Sequence, residues 1–284
     1  MSSNPTNTTK IDATKRIGLI AGRGRFPILF TQSAKAQNQE LTIIAVGIEG
    51  QTLPELKQQV DKMEWISLGQ MESLIRYFQK EGVTKAVMAG GVPKSQWLKN
   101  QITLDEKLQK IIQATPDHRD QALLKAVADE LARHGIQLLD STLFLDSFLA
   151  KEGVLGRHSL TQAQREDVRL GKEVARVLSG LDIGQTVVVK GGAILAVEAL
   201  EGTDETIRRA ARFGGVGAVV VKMARPDQDM RFDIPVVGLD TIISLQEAQA
   251  CVLAVETART LILDYRRFIS SADEMDLAVV GVKP

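Results

Sequence analysis

The chain has 284 residues, no formal net charge and a single cysteine, Cys251. The balanced charge excludes a global field that would attract nucleic acid, and one cysteine excludes an internal disulfide or a cysteine-based zinc site. No apolar run approaches the roughly 20 residues that span a bilayer, and residues 1–15 are too polar for a secretory signal. We therefore predict a cytoplasmic protein with a disordered lead-in at 1–15 and no nucleic-acid partner.

The first half of the chain alternates short apolar runs with helical patterns. Strands are predicted at 16–22, 41–46, 62–68, 85–88 and 136–139. Helices are predicted at 28–36, 71–80 and 104–131, the last broken near 115–120, and a short apolar helix at 143–149. Such alternation is typical of a parallel sheet covered by helices. We predict a Rossmann-like N-terminal domain over residues 16–150.

A polar segment with two glycines, 151–158, marks the predicted boundary to a second domain, 151–284. The predicted elements there are a helix at 161–178, strands at 186–190 and 217–223, helices at 244–261 and 262–271, and a strand at 277–282. Between 190 and 217 the sequence is helix-like and dense in acids and bases. The predicted fold class is α/β, with a Rossmann-like domain of parallel sheet and a second, distinct α/β domain that we expect to be catalytic.

Three strand ends in the first domain carry glycine beside a polar residue. Gly22, Arg23 and Gly24 precede a helix N-terminus, where free amide groups and the helix dipole favour an anion. Pro27 takes the place of the third glycine of the dinucleotide fingerprint, which argues against ordinary NAD binding. The other two strand ends carry Gly69, Gln70, Gly90 and Gly91. These positions predict a ligand crevice along the carboxyl edge of the sheet, with turns that bind no ligand as the alternative.

The loop 225–235 contains three carboxylates and two guanidinium groups. Pro226 and Pro235 bracket it and restrict its backbone. A rigid polar loop after an apolar strand suits a metal ion or a phosphate. The alternative is that its aspartates, Asp227, Asp229 and Asp233, are ordinary turn residues paired with the neighbouring arginines, Arg225 and Arg231.

Several motifs follow one another in a characteristic order. They are IGLIAGxG at 17–24, LGQ at 68–70, AGGV at 89–92, LAVEALEGTD at 195–204, VK at 221–222 and PDQDMRFDIP at 226–235. Together they cover nearly the whole chain from about residue 16, and the chain resembles the LpxI-type UDP-2,3-diacylglucosamine pyrophosphatase family. At 119–124 the chain has RDQALL, where many members have an acidic Gly-Asp-Asp before Leu-Leu.

The resemblance implies a hydrolase of lipid A synthesis that cleaves the diphosphate of UDP-2,3-diacylglucosamine. The products would be UMP and 2,3-diacylglucosamine 1-phosphate (lipid X), and the cofactor would be Mg²⁺. The lipid product would be held between a Rossmann-like domain and a distinct C-terminal domain that carries the essential aspartate. That aspartate corresponds to Asp229, with Asp233 as the second catalytic candidate. Contact with the inner membrane and a homodimer are left open.

We expect Asp229 to bind the metal or to orient the water that attacks the α-phosphorus. The other candidate metal ligands are Asp233, Glu198, Glu201 and Asp204. On a helix the last three would share one face, where like charges repel unless a cation relieves them. The candidate substrate-binding residues are Gly22, Arg23, Gly24, Gly69, Gln70, Gly90, Gly91, Lys190, Thr203, Lys222 and Arg231. Surface ion pairs are the alternative for the charged members.

Two other classes of protein remain as alternatives at this point. A non-catalytic sugar-nucleotide-binding protein would keep the glycine turns and have no need of the acidic loop. A nicotinamide-dependent oxidoreductase is disfavoured by Pro27.

Overall fold

The computed structural model describes residues 16–92, 102–115 and 120–284. Within them, five parallel strands form an N-terminal sheet in the order β3-β2-β1-β4-β5. The strands are β1 (Arg16–Ala21), β2 (Thr42–Ile48), β3 (Lys62–Ile66), β4 (Lys85–Ala89) and β5 (Gln137–Leu138). The order changes direction between β1 and β4, which is the place where open α/β sheets bind ligands.

Helices cover both faces of this sheet. The helices are α1 (Phe26–Gln37), α2 (Met71–Lys80), α3 (Glu106–Ala114) and α4 (Asp120–Arg133). Alternate residues of each strand point to opposite faces, so Leu19 packs in the core on the α1 side and Ile20 in the core beneath α2, α3 and α4. The Rossmann-like prediction for this half is therefore confirmed.

The C-terminal half is built on a six-stranded mixed sheet with the order β6-β13-β11-β9-β7-β8. Its strands are β6 (Gly153–Val154), β7 (Thr186–Lys190), β8 (Ala193–Val197), β9 (Val219–Lys222), β11 (Val252–Glu256) and β13 (Ala278–Val282). The central strands β9, β11 and β13 are parallel, and the outer strands run antiparallel to their neighbours. Two short strands, β10 (Val236–Val237) and β12 (Leu261–Ile262), form a separate parallel pair.

One long helix covers one face of this sheet, and three shorter helices cover the other. The long helix is α5 (Gln162–Gly180), which begins with a capping box between Thr161 and Gln164. The shorter helices are α6 (Thr203–Gly214), α7 (Leu239–Glu247) and α8 (Tyr265–Glu274). Val168 of α5 packs with Val221, whereas Ile207 and Phe268 pack with Val220. The predicted second, distinct α/β unit is confirmed. No helix among the described residues is both long and apolar enough to cross a bilayer.

Three local predictions are wrong. The predicted helix at 244–261 ends at Glu247, and 252–256 is strand β11, whose apolar run lies buried between two strands and cannot be told from a buried helix by periodicity. The predicted helix at 143–149 consists of turns and a single 3-10 turn, Asp146–Phe148. The segment after 190 begins with strand β8, so its helix starts only at Thr203.

Candidate active site

The loop that carries Asp229 starts at the carboxyl edge of the C-terminal sheet. It follows β9, and its first amide, that of Ala224, donates a 3.0 Å hydrogen bond to Glu256 at the end of the neighbouring parallel strand β11. The guanidinium group of Arg259 donates to the carbonyl oxygens of Arg225 at 2.9 Å and Pro226 at 3.3 Å. The beginning of the loop is therefore fixed to two strand ends of its own sheet.

The same loop is also bound to the carboxyl edge of the N-terminal sheet. The amide of Ser141 donates to the carbonyl oxygen of Met230 at 2.7 Å. Its hydroxyl lies 2.7 Å from two further carbonyl oxygens, those of Met88 in β4 and of Arg231 in the loop. Phe232 is only 3% exposed and packs in the N-terminal core beneath α2, α3 and α4. Asp229 thus lies on a segment that joins the carboxyl edges of both sheets.

Asp229 forms a local ion pair with Arg231. The guanidinium group contacts both carboxylate oxygens, at 2.6 Å from Nη2 and at 3.0 and 3.1 Å from Nε. The amide of Arg231 donates a further bond of 3.0 Å to the same carboxylate. These donors stabilise the ionised form and lower the pKa of Asp229 below its ordinary value, against the effect of burial. Asp229 is therefore ionised at neutral pH, and its carboxylate can accept hydrogen bonds but not donate them.

Asp233 lies in the same loop, and its contacts stabilise the conformation of the loop. Its backbone adopts the left-handed region, with φ of 52°. Its carboxylate accepts a 2.7 Å bond from the buried guanidinium group of Arg225, which also pairs with buried Asp182. The side-chain amide of Gln228 donates to the carbonyl oxygen of Asp233 at 3.0 Å. These contacts hold the shape of the loop, and the predicted catalytic role of Asp233 has no separate support in this geometry.

A cavity of about 230 Å³ lies between helix α4 of the N-terminal half and the start of the loop. It is lined by Gln121, Ala122, Lys125, Ser179, Gly180, Asp182, Arg225 and Asp227. Drug-sized ligands occupy pockets of roughly 300–1,000 Å³, so this volume suits only part of a large ligand. The lining is polar, and the Nε2 atom of Gln121 is buried with no hydrogen-bond partner among the described residues. A small polar or charged group fits such a cavity better than an acyl chain.

The glycine turns of the N-terminal half bind each other. The amides of Gly22 and Arg23 donate to the carbonyl oxygens of Ala89 at 2.8 Å and Gly91 at 2.9 Å. A Cβ at Gly90 would lie 2.5 Å from the carbonyl oxygen of Arg23, so glycine is needed for this close approach. The amides predicted to bind phosphate at positions 22 and 23 are therefore already used.

The remaining residues of the predicted crevice divide into open and packed positions. A Cβ at Gly24 or at Gly91 would meet nothing within 4 Å, so both face open space. Gly69 is packed, because a Cβ there would lie 2.6 Å from the carbonyl oxygen of Thr103. Gln70 accepts a 3.2 Å bond from the amide of Ser67. These contacts give Gly69 and Gln70 structural roles at the start of α2.

The helix-face argument for the three acidic residues of the second domain is wrong. Glu198 and Glu201 precede α6, which starts at Thr203. Glu198 accepts bonds of 3.2 Å from the amide of Gln185 and from the Thr203 hydroxyl. Glu201 pairs with Arg209 at 2.6 Å.

Asp204 is the only one of these three acids that lies on α6, in its first turn. Burial raises the pKa of its carboxyl group, and the positive charge of Lys222 opposes that rise. Its Oδ1 atom is buried with no hydrogen-bond partner among the described residues. Asp204 thus lies near Lys222, the last residue of β9, and follows Thr203, to which the Lys222 ammonium group donates.

The predicted magnesium ligands do not form one site. Among the described residues there is no group of three or more His, Cys, Asp and Glu side chains arranged to hold a metal ion. Asp229 and Asp233 have arginine partners, as does Glu201, and a guanidinium group competes for the oxygens that a metal needs. The described residues thus form no site with three or more such ligands, and a Mg²⁺ ion held by one or two carboxylates would need substrate oxygens and waters for the rest of its shell.

Two family models match successive parts of the chain. The LpxI N-terminal domain matches residues 16–148, and the LpxI C-terminal domain matches residues 151–280. The chain belongs to the LpxI family. The predicted family membership is therefore confirmed. A curated relative, UDP-2,3-diacylglucosamine pyrophosphatase LpxI of Caulobacter vibrioides, is 27% identical over 285 residues, covering 95% of this chain and 98% of the relative.

Two solved structures resemble this LpxI family member only remotely. The biotin carboxylase subunit of pyruvate carboxylase is 13% identical, with a TM-score of 0.26 and coverage of 70% of this chain and 42% of that one. The biotin carboxylase domain of 2-oxoglutarate carboxylase from Hydrogenobacter thermophilus is 14% identical, with a TM-score of 0.23 and coverage of 70% and 40%. The chain thus spans less than half of either protein, and these scores support no conclusion.

Two lysines of the predicted substrate set lie at opposite edges of the C-terminal sheet of this LpxI family member. Lys222 ends β9 at the edge where the Asp229 loop begins, but it is 7% exposed and its ammonium group donates to Thr203 at 2.6 Å. Lys190 ends the antiparallel strand β7, so it lies at the far edge, where it donates to the carbonyl oxygen of Gly214 at 2.5 Å. This placement does not support a phosphate-binding role for Lys190.

Sequence reasoning missed three residues that shape the site. Ser141 holds the loop to the N-terminal sheet, Asp182 holds Arg225, and Lys125 lines the cavity. Ser141 follows the last strand of the predicted Rossmann-like sheet, and this position at a carboxyl strand end was an available signal. Asp182 lies in a glycine-flanked turn and Lys125 on an ordinary helix, so neither had a distinguishing pattern.

Proposed function

We propose that this chain hydrolyses the diphosphate of UDP-2,3-diacylglucosamine in lipid A biosynthesis. The products are UMP and 2,3-diacylglucosamine 1-phosphate, lipid X. Support comes from membership of the LpxI family and from the name of the Caulobacter relative, which matches this chain over almost its whole length. We also propose residues 16–150 and 151–284 as the two domains that hold the substrate.

The observation that carries this proposal is the position of the Asp229 loop. It lies where the carboxyl edges of the parallel N-terminal sheet and of the parallel central strands of the C-terminal sheet meet, next to a polar cavity to which both halves contribute. Ligands of open α/β sheets bind at carboxyl edges, and the reacting bond of this substrate lies between its nucleotide and its lipid part. One half of the chain is thus available to each part of the substrate.

Water attack at the α-phosphorus is the proposed chemical step. The new bond joins the water oxygen to the α-phosphorus, and the bond from that phosphorus to the bridging oxygen breaks. UMP therefore gains the water oxygen with one of its protons, lipid X leaves as the phosphate monoester with the bridging oxygen and the electrons of the broken bond, and the second proton of the water passes to solvent. Asp229, with its lowered pKa, orients the water by accepting a hydrogen bond, and Arg231 offsets the negative charge of the phosphoryl oxygens.

No step of the proposed reaction is assigned to magnesium, because the described residues include no group of three or more side chains arranged to hold a metal ion. Dependence on a divalent cation is tested separately, by measuring UMP release with Mg²⁺ and with EDTA. A cation carried in by the substrate diphosphate would give full dependence without a preformed protein site. Turnover in excess EDTA would show that the reaction needs no divalent cation and depends on the protein groups named above.

The direct test is incubation with UDP-2,3-diacylglucosamine in water enriched with heavy oxygen. We expect UMP release with the label in UMP, whereas label in lipid X would place the attack at the β-phosphorus. Asp229→Asn should reduce turnover by a factor on the order of 10² or more and leave the protein folded. The matched control is Asp276→Asn, which removes a carboxylate that is 92% exposed. Equal activity of the two variants would remove Asp229 from the catalytic role.

The rival classes predict other outcomes in the same experiment. A non-catalytic sugar-nucleotide-binding protein would bind the substrate and release no UMP. A nicotinamide-dependent oxidoreductase needs amides for the cofactor pyrophosphate at the first glycine turn, and the Gly22 and Arg23 amides are occupied by carbonyl oxygens. Binding of NAD(P)H detected by fluorescence would revive that alternative.

A further inference from the structure

One face of helix α4 runs along the Asp229 loop. Gln121, Lys125 and Asp129 are spaced four residues apart, so they share that face. Gln121 and Lys125 line the cavity. The charge of Lys125 adds to the effect of Arg231 in lowering the pKa of Asp229, and Asp129 adds to the effect of Asp229 in raising the pKa of Arg231. The helix and the start of the loop therefore line the same cavity, and the charges of this helix face act on Asp229 and Arg231 without an ion pair to either of them among the described residues.

Lys125 is the cation on this face that remains available to a ligand. Asp229 already has a bidentate partner in Arg231, and no carboxylate among the described residues lies within ion-pair distance of Lys125. The neighbouring Gln121 has a buried side-chain amide nitrogen without a hydrogen-bond partner in the described part of the chain. An unpaired ammonium group and an unused amide donor at one cavity wall favour an anion with several acceptor oxygens.

We propose that Lys125 binds the diphosphate of the substrate in this cavity. This inference rests on the proposed function and adds to it a residue from the N-terminal half, on a different element from Asp229. The lining carries two cations, Lys125 and Arg225, and two carboxylates, Asp182 and Asp227, and Arg225 is paired with Asp182, so Lys125 is the lining cation without an ion pair among the described residues. The lining has no apolar side chain larger than that of Ala122. The acyl chains therefore lie outside the cavity, and the diphosphate is held between helix α4 and the loop.

The test compares Lys125→Gln and Lys125→Arg with the wild type in the UMP-release assay. Loss of a charge-assisted contact should raise KM on the order of 10–100-fold, and the arginine variant should recover most of that loss. Raising the salt concentration should raise KM of the wild type more than that of Lys125→Gln. A merely structural lysine would show neither the rescue by arginine nor the change in salt dependence.

The matched control is Lys110→Gln on helix α3. Lys110 is also an exposed helical lysine, and it pairs with Glu106 at 2.6 Å, away from the cavity. An unchanged KM in Lys125→Gln, or an equal rise in Lys110→Gln, overturns the inference. Calorimetric titration with UDP gives a second measurement that does not depend on turnover. Weaker UDP binding by Lys125→Gln alone supports the inference even if the wild type releases no UMP, and equal binding by all variants refutes it.

Discussion

Replacing Ser141 by alanine tests whether the N-terminal half positions the Asp229 loop. Ser141 is 1% exposed, and its single hydroxyl proton serves the carbonyl oxygens of Met88 and Arg231, each at 2.7 Å. Buried acceptors that lose a donor cost about 1–3 kcal/mol, so the free energy of unfolding should fall by about that amount. The amide bond from Ser141 to Met230 remains, so the loop should loosen without detaching.

A suitable control for this change is Ser33→Ala. The Ser33 hydroxyl donates to the carbonyl oxygen of Phe144 at 2.6 Å, but that oxygen also accepts from Gln37 at 2.7 Å. No acceptor is left without a donor, so the free energy of unfolding should fall by less than about 1 kcal/mol.

Urea denaturation measures both changes as shifts of the midpoint at constant m-value. Because displacement of a catalytic group by about 1 Å can cost 10²-fold, kcat of Ser141→Ala should fall on the order of 10–100-fold while Ser33→Ala keeps its activity. The reasoning fails if Ser141→Ala matches Ser33→Ala in both stability and kcat. Loss of stability without loss of kcat would leave Ser141 as a structural residue only.

Three further substitutions test other contacts of the site. Gly90 has a left-handed φ of 84°, and a Cβ there would lie 2.5 Å from a backbone oxygen, so Gly90→Ala should lower the free energy of unfolding by about 2–4 kcal/mol. The control is Gly91→Ala, which has open space at Cβ and should change the free energy of unfolding by less than about 0.5 kcal/mol. Equal urea midpoints for the two would contradict this. Phe232 is buried in the N-terminal core and holds the loop there, so Phe232→Ala should lower the free energy of unfolding by about 3–5 kcal/mol and reduce kcat. A stable and fully active variant would show that this contact is not needed. Burial raises the pKa of Glu256 in the folded state, so between the ordinary glutamate pKa and the raised one the folded protein binds more protons than the unfolded chain. The free energy of unfolding therefore falls as pH rises through that range. Glu256→Gln should flatten that pH dependence, and an unchanged slope would refute the assignment.

The N-terminal fold could be predicted from sequence because its signals are local. Apolar runs such as 43–46 lie on interior strands of the sheet, are buried on both faces and end at glycine or polar residues. The C-terminal sheet was harder to predict, because its strand β11 follows helix α7 after only four residues and both are apolar. Periodicity alone merged them into one helix.

The prediction that Glu198, Glu201 and Asp204 share a helix face failed for a different reason. Sequence spacing indicates which side chains can share a helix face, but it does not show where the helix begins. Gly202, with φ of 83°, separates Glu198 and Glu201 from α6, so their neighbours are strand ends and arginines. Partners distant in sequence, such as Thr203 for Lys222, decide which charges remain free.

Position, more than carboxylate density, distinguishes Asp229 from the other acids of the chain. Asp233, Glu201 and Asp229 each have an arginine partner, so pairing alone does not separate a catalytic group from a brace. Asp229 differs because Met230 and Arg231, the residues that follow it, are hydrogen-bonded to Ser141 of the other sheet. A carboxylate fixed from both halves is held in place only when the two sheets face each other. On the proposed role of Asp229, catalysis by this loop would be a property of the docked halves together, and any substitution that separates them should reduce kcat even where it leaves Asp229 and Arg231 unchanged.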